Sequence, residues 1–177
     1  MRPIAERSAV EAFQNVGVQE TGENAGPAVE TYQKACIPQL QPGAPWCAAF
    51  VVYRLRNAAH DLELSIPAAW PRSGYCPDHG RWAKANGCFV PASEALLNSD
   101  RVRVGDLAIF YFRALKRFAH IGIVTKVFDW GVHTVEGNTE PEVEDLDRVQ
   151  REGDGVYAKI RHWKEMGSAG GFIRIDW

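Results

Sequence analysis

The sequence predicts an α+β protein, with helices first and an antiparallel sheet after them. Two observations predict the class and a third sets its extent. Up to about residue 60, apolar side chains recur at helical intervals between polar ones. After Asp100 the pattern changes to short β-branched and aromatic runs separated by turn residues. No repeat, low-complexity tract or linker divides the chain, so residues 1–177 read as a single domain.

The elements follow in order. Ile4, Ala9, Val10, Phe13 and Val16 lie at roughly helical spacing and predict an amphipathic helix ending near Gly17. Residues 20–27 carry two glycines, an asparagine and a proline, which predict a loop. A short helix carrying Val29, Tyr32 and Ala35 comes next. Pro38, Pro42, Gly43 and Pro45 then keep the backbone extended or turned up to Trp46. From Trp46 to His60 there is no Gly or Pro, and the first two turns are apolar all round, as in a helix with a buried front end. Pro45 suits its entrance, which puts Cys47 in the first turn.

Residues 61–100 are rich in Pro, Gly and Ser and yield only a short helix, Gly80 to Asn86, closed by Gly87. Strands are then expected at Val102 and Val104, Leu107–Tyr111, Ile121–Val127, Val132–Glu136, Val156–Ile160 and Phe172–Ile175.

The chain has 177 residues, 46% of them hydrophobic and 24% charged, enough to bury one sizeable core. Its 20 basic and 22 acidic residues leave a net charge of −2, so bulk charge gives no reason to expect nucleic acid or an anionic membrane as a partner. The first residues have no apolar run that could serve as a secretory signal, and no later stretch is suited to span a bilayer. Four cysteines are too few for a disulfide-built scaffold. Cys76 and Cys88 could close one bridge or stay thiols, and Cys76, His79 and Cys88 offer three soft metal ligands without an evident fourth.

The chemistry centres on Cys47. A helix N-terminus favours thiolate over thiol and presents N–H groups able to receive an oxyanion. A cysteine nucleophile also needs an imidazole to take and return a proton. Of the five histidines, His60 is about three turns along the same helix and out of reach. His79 lies in the undefined region, and His133 and His162 read as surface residues. His120 opens a strongly apolar strand, with Gly122 leaving space on its face. The next strand ends in Glu136-Gly137-Asn138; Glu136 and Asn138 are two apart, so in extended backbone they share a face where either could orient the imidazole.

Four strings carry a resemblance: Pro45-Trp46-Cys47-Ala48-Ala49-Phe50-Val51, Val104-Gly105-Asp106-Leu107-Ala108-Ile109-Phe110, Ala119-His120-Ile121-Gly122-Ile123-Val124 and Val135-Glu136-Gly137-Asn138. In this order and spacing the sequence resembles the CHAP family, the cysteine, histidine-dependent amidohydrolases and peptidases of bacteria and phages. The resemblance implies a papain-like fold, Cys47 as nucleophile, His120 as general base and acid, Glu136 polarising His120, and Asn138 as a supporting residue. Trp46 would pack beside the nucleophile and line the substrate cleft, with a core tryptophan as the safer alternative, and Asp106 would belong to a structural turn.

No metal or cofactor is required by this chemistry. The implied substrate is peptidoglycan or a muropeptide, cut as an N-acetylmuramoyl-L-alanine amidase or as a stem or cross-bridge endopeptidase. The expected enzyme is a monomer made in the cytoplasm without a signal peptide, acting at the bacterial wall after lysis or non-classical export. A secreted effector would also meet an immunity or delivery protein. Two alternatives stand beside this: a cysteine amidase or peptidase with a non-wall substrate, and a catalytically silent wall-binding module on the same fold.

Overall fold

The computed structural model describes residues 2–141 and 153–177. Among these, the helices are α1 (Pro3–Ala12), α2 (Pro27–Lys34), α3 (Cys47–Asp61), α4 (Cys76–Ala85) and α5 (Ala92–Leu97). The strands are β1 (Phe89–Pro91), β2 (Leu107–Phe112), β3 (Arg117–Phe128), β4 (Gly131–Thr139), β5 (Gly155–His162) and β6 (Gly171–Ile173). They form one sheet in the order β1-β6-β2-β3-β4-β5, and every neighbouring pair is antiparallel. The α+β class is as the sequence predicts, and the arrangement is papain-like.

The apolar front of α3 is the centre of the core. Every residue from Cys47 to Val52 is buried, because α3 lies between the sheet on one side and α1 and α2 on the other. Truncating Phe50 to alanine there costs about 3–5 kcal/mol, combining lost burial with the cavity left behind. The sheet is covered on its second face as well. Leu107 and Ile109 of β2 join the α3 core, while Ala108 and Phe110 join a smaller cluster with Ala95 of α5 and with Trp163 and Met166 of a short 3₁₀ turn. A strand buried on both faces has no polar alternation, which is why β2 reads as an unbroken apolar run.

Two expectations need correction, and two further elements had no forerunner in the sequence. Val102 and Val104 form no strand; they lie between the 3₁₀ turn Ser99–Arg101 and β2. α4 begins at Cys76, four residues earlier than expected, because Pro77 falls in its first turn, where the missing N–H has no helical partner to lose. β1 and α5, of three and six residues, emerge from a region where no periodicity was legible.

Candidate active site

Cys47 is the first residue of α3. His120 stands in β3, and Glu136 in the adjacent β4. Antiparallel pairing of Ile123 with Val135 and of Val124 with Thr134 brings Glu136 level with Gly122. There the carboxylate crosses to the imidazole: His120 Nε2 lies 2.8 Å from Glu136 Oε2. Gly122 makes this possible. A Cβ at that position would come within 2.5 Å of Glu136 Cγ. The space on this strand face thus belongs to a side chain of the site. Gly137 has a similar use on the helix side, where a Cβ would come within 2.7 Å of Trp46 and 2.8 Å of Phe50. Its absence lets α3 press against β4.

Glu136 is fully buried and fully bonded. Thr134 Oγ1 donates to Oε1 at 2.6 Å, and Arg161 donates through Nε to Oε1 at 2.9 Å and through Nη2 to Oε2 at 2.6 Å. Burial alone would favour the neutral acid, but the charges and donors of Arg161 and His120 hold the carboxyl well below its usual range. Nothing in the sequence marks Arg161 as part of the site. It lies on β5, where Lys159 and Arg161 are buried and Ile160 is 38% exposed. β5 thus buries a charged face carrying Lys159 and Arg161 as well as an apolar one carrying Val156 and Ala158, which pack into the α3 core.

The negative charge of Glu136 passes to His120. Burial disfavours imidazolium, but Glu136 and the Cys47 sulfur overcome it, and His120 is raised to about 9. Its Nδ1 makes no hydrogen bond of ordinary geometry. Even so, imidazole and thiol lie close enough to perturb each other's titration, each favouring the other's charged form.

Cys47 is lowered well below the ordinary thiol value. The first cause is a neighbouring thiol: Cys76 Sγ lies 3.6 Å from Cys47 Sγ and can donate its S–H to the thiolate. Burial opposes the shift, and His120 and the backbone N–H of Ala48 support it. Both shifts run toward the thiolate–imidazolium form of the pair. Of the three side chains, Cys47 alone keeps some solvent contact, at 4% exposure; His120 and Glu136 have none.

Asn138 does not share a face with Glu136, and of the two readings of Trp46 the structure fits the core one. Asn138 takes a positive φ of 56°, and the β4–β5 register shifts between Glu136 and Thr139, so the two-residue alternation that would align it with Glu136 fails. Its Oδ1 accepts from the backbone N–H of Trp46 at 3.0 Å, and its Nδ2 donates to Asn24 Oδ1 at 2.9 Å and to Gly153 O at 3.0 Å. Asn138 thus fixes the residue before the nucleophile, while Glu136 alone of the two bonds His120. Trp46 is wholly enclosed, with 0% exposure, and its indole donates to Glu20 at 3.1 Å. It supports the nucleophile from within the core and presents no wall to a cleft.

Cys76 and Cys88 flank opposite ends of α4, a ten-residue helix about 15 Å long, so no bridge joins them and the ligand set with His79 does not converge. Among the described residues no group of three or more His, Cys, Asp or Glu is arranged to hold a metal. His79 is instead buried against Trp70, with Nε2 2.7 Å from the Ser73 carbonyl.

Two charged regions border residues that pack against the nucleophile. Beyond Cys76 lies the hairpin from Arg113 to Arg117, with Arg117 over the Tyr75 ring and its charge felt at Cys76. Beyond Asn138 opens a cavity of about 500 Å³ bordered by Glu20, Glu23, Glu140 and Asp154.

A cysteine at a helix N-terminus, an imidazole near it and a carboxylate behind that imidazole, on a papain-like α+β frame, are the arrangement of the cysteine nucleophile hydrolases. The model of the CHAP domain matches residues 39–138, more than half of the chain and a span containing Cys47, His120, Glu136 and Asn138. The chain belongs to the CHAP family. No curated protein and no solved structure matches it.

Proposed function

We propose that this protein hydrolyses an amide or peptide bond of bacterial peptidoglycan by acyl transfer through Cys47. The bond is either the one joining muramic acid to L-alanine or one within the stem or cross-bridge peptide. The observation that carries the reading is a cysteine on the first turn of a helix together with a buried His120–Glu136–Arg161 chain of hydrogen bonds, all but Arg161 within the span matched by the CHAP family. The Cys47 thiolate attacks the carbonyl carbon, and the developing oxyanion meets the first-turn amides of α3. As the C–N bond breaks, the His120 imidazolium gives its proton to the departing amine, leaving a thioester on Cys47. Neutral His120 then takes a proton from water, whose oxygen attacks the thioester, and the acid product leaves as the thiolate–imidazolium pair is restored.

The charged surroundings suit this substrate. A stem peptide carries both carboxylates and amino groups, and the chain offers a basic hairpin that reaches Tyr75, next to Cys76, and a carboxylate-lined cavity bordered by Asn138. Its place of action on this reading is the bacterial wall. Among the described residues, no helix is long and apolar enough to cross a membrane.

The test is turbidity clearing of purified sacculi. Wild-type protein clears the suspension, and Cys47→Ala does not, while keeping its circular dichroism spectrum, since alanine is at home in a buried helix turn. Full clearing by Cys47→Ala overturns the reading. Mass spectrometry of digested muropeptides then assigns the bond: a new N-terminal alanine marks an amidase, and shortened peptides mark an endopeptidase. Unchanged sacculi and muropeptides with folded wild-type protein point to a substrate outside the wall.

A further inference from the structure

A second thiol beside a catalytic cysteine is not needed for acyl transfer. Cys76 is the first residue of α4, reaches Cys47 from a different helix, and is as little exposed as Cys47, at 4%. Its sulfur is 3.6 Å from that of Cys47. A disulfide needs about 2.05 Å, so closing the gap takes about 1.5 Å of movement shared between two side chains. Cys88 lies beyond the far end of the same helix.

We propose that Cys47 and Cys76 form a reversible disulfide when the protein meets a hydroperoxide, making Cys76 the resolving thiol of a redox site built into the catalytic centre. In the first step the Cys47 thiolate attacks one peroxide oxygen, the O–O bond breaks, and Cys47 becomes a sulfenic acid while hydroxide leaves. In the second, the Cys76 thiolate attacks the Cys47 sulfur, the S–O bond breaks, and a second hydroxide departs. Two thiols lose two electrons and two protons in all, and hydrogen peroxide becomes two waters.

The surroundings order these steps. While Cys47 is a thiolate, Cys76 is held protonated: its hydrogen bond to Cys47, its burial and the adjacent negative charge all raise its pKa, so it does not compete as a nucleophile. Oxidation of Cys47 to the neutral sulfenic acid removes that charge. Arg117 and the N-terminus of α4 then favour the Cys76 thiolate, one contact away from its target. Peroxide is hardly larger than water and needs far less access to the sulfur than a wall polymer does.

Loss of activity on oxidation rests on Cys47 being the nucleophile of the proposed reaction; the disulfide itself does not. The reduced full-length protein is treated with hydrogen peroxide in reductant-free buffer and peptide-mapped without reduction. The expected result is a cross-linked pair joining the Cys47 and Cys76 peptides, two hydrogens lighter than their sum, as free thiols fall from four to two. Sacculus clearing falls in proportion to the cross-linked fraction, and dithiothreitol restores thiols and clearing together. Cys88→Ser cross-links as wild type does. In Cys76→Ser, Cys47 passes to sulfinic acid and dithiothreitol does not recover it.

The wild-type map decides the matter even if Cys76→Ser folds poorly. Cys47 accumulating as sulfinic acid beside a free Cys76, or Cys47 or Cys76 pairing with Cys36 or Cys88, overturns the proposal. A clean Cys47–Cys76 cross-link in protein that never clears sacculi when reduced supports the disulfide and sinks the hydrolase reading instead.

Discussion

Glu136 and Asp106 are built alike. Each is a carboxylate with no exposed surface, and each is neutralised by arginine. Asp106 holds Arg2 and Arg174 and accepts from the backbone N–H groups of Arg103 at 2.9 Å and Ile175 at 3.4 Å. These partners come from near both ends of the chain and from the turn before β2, so Asp106 ties the termini to the sheet. Glu136 is bonded by Arg161 and the Thr134 hydroxyl, and its third partner is the imidazole of His120. Arginine and backbone amides keep their protons at any ordinary pH, while imidazole can give one up. A buried carboxylate becomes part of a reaction when one of its donors can release its proton.

Burial also wins in one place and loses in the other. It pushes Asp106 up despite Arg2 and Arg174. At Glu136 the bidentate arginine and the imidazole prevail. Replacing each by its amide should separate the two functions. Glu136→Gln loses the charge that supports imidazolium, and activity is expected to fall about 10²–10⁴-fold. It also leaves Arg161 buried without its principal counter-charge, at a cost of about 3–5 kcal/mol. Asp106→Asn should lose about 3 kcal/mol of stability with activity per folded molecule unchanged. Clearing rates corrected for folded fraction, with denaturant melts, measure both. Equal activity losses in the two variants would falsify the distinction.

Gly122→Ala probes the same contrast through space alone. Its Cβ collides with the Glu136 side chain and with the Val135 carbonyl 3.2 Å away, and the sheet cannot widen on one side. Displacing the carboxylate by about an ångström is expected to lower activity roughly 10²-fold. The variant should still fold with a loss of ~1–3 kcal/mol, and Asp106 is untouched. Wild-type activity in folded Gly122→Ala would show that the Glu136–His120 contact is not what sets the rate.

How legible this was in sequence depended on how local each determinant is. Cys47 at a helix entrance could be read because Pro45 and an apolar run without Gly or Pro specify it nearby. His120 and Glu136 needed only two neighbouring strands. Arg161 was missed because its burial comes from pairing with Glu136, 25 residues away, and no alternation rule anticipates a charged buried face carrying Lys159 and Arg161. Asn138 was misplaced by a positive φ that breaks the two-residue period. Cys76 was weighed against its sequence neighbour Cys88, yet its partner is Cys47, 29 residues upstream on another helix. β1 and α5 are too short for any period to show.

The pH profile sharpens the comparison further, at about tenfold per pH unit outside the plateau. The thiolate–imidazolium pair exists only between its two titrations. Activity should therefore rise as Cys47 ionises, well below the ordinary thiol range, and fall as His120 loses its proton near pH 9. In Asp106→Asn both limbs should stay in place. In Glu136→Gln the support for imidazolium is gone and burial dominates, so the residual activity should fall at a lower pH on the alkaline side.

Stability carries the opposite signs of the two carboxylates. The lowered Glu136 contributes stability that is present above the ordinary carboxylate range and lost as pH falls through its native pKa. The raised Asp106 contributes most at low pH, and less as pH rises through its own value. Acid melts of Glu136→Gln should therefore be flatter with pH than those of wild type, and melts of Asp106→Asn steeper. An alkaline limb that stays near 9 in Glu136→Gln would mean that something other than this carboxylate holds the proton on His120.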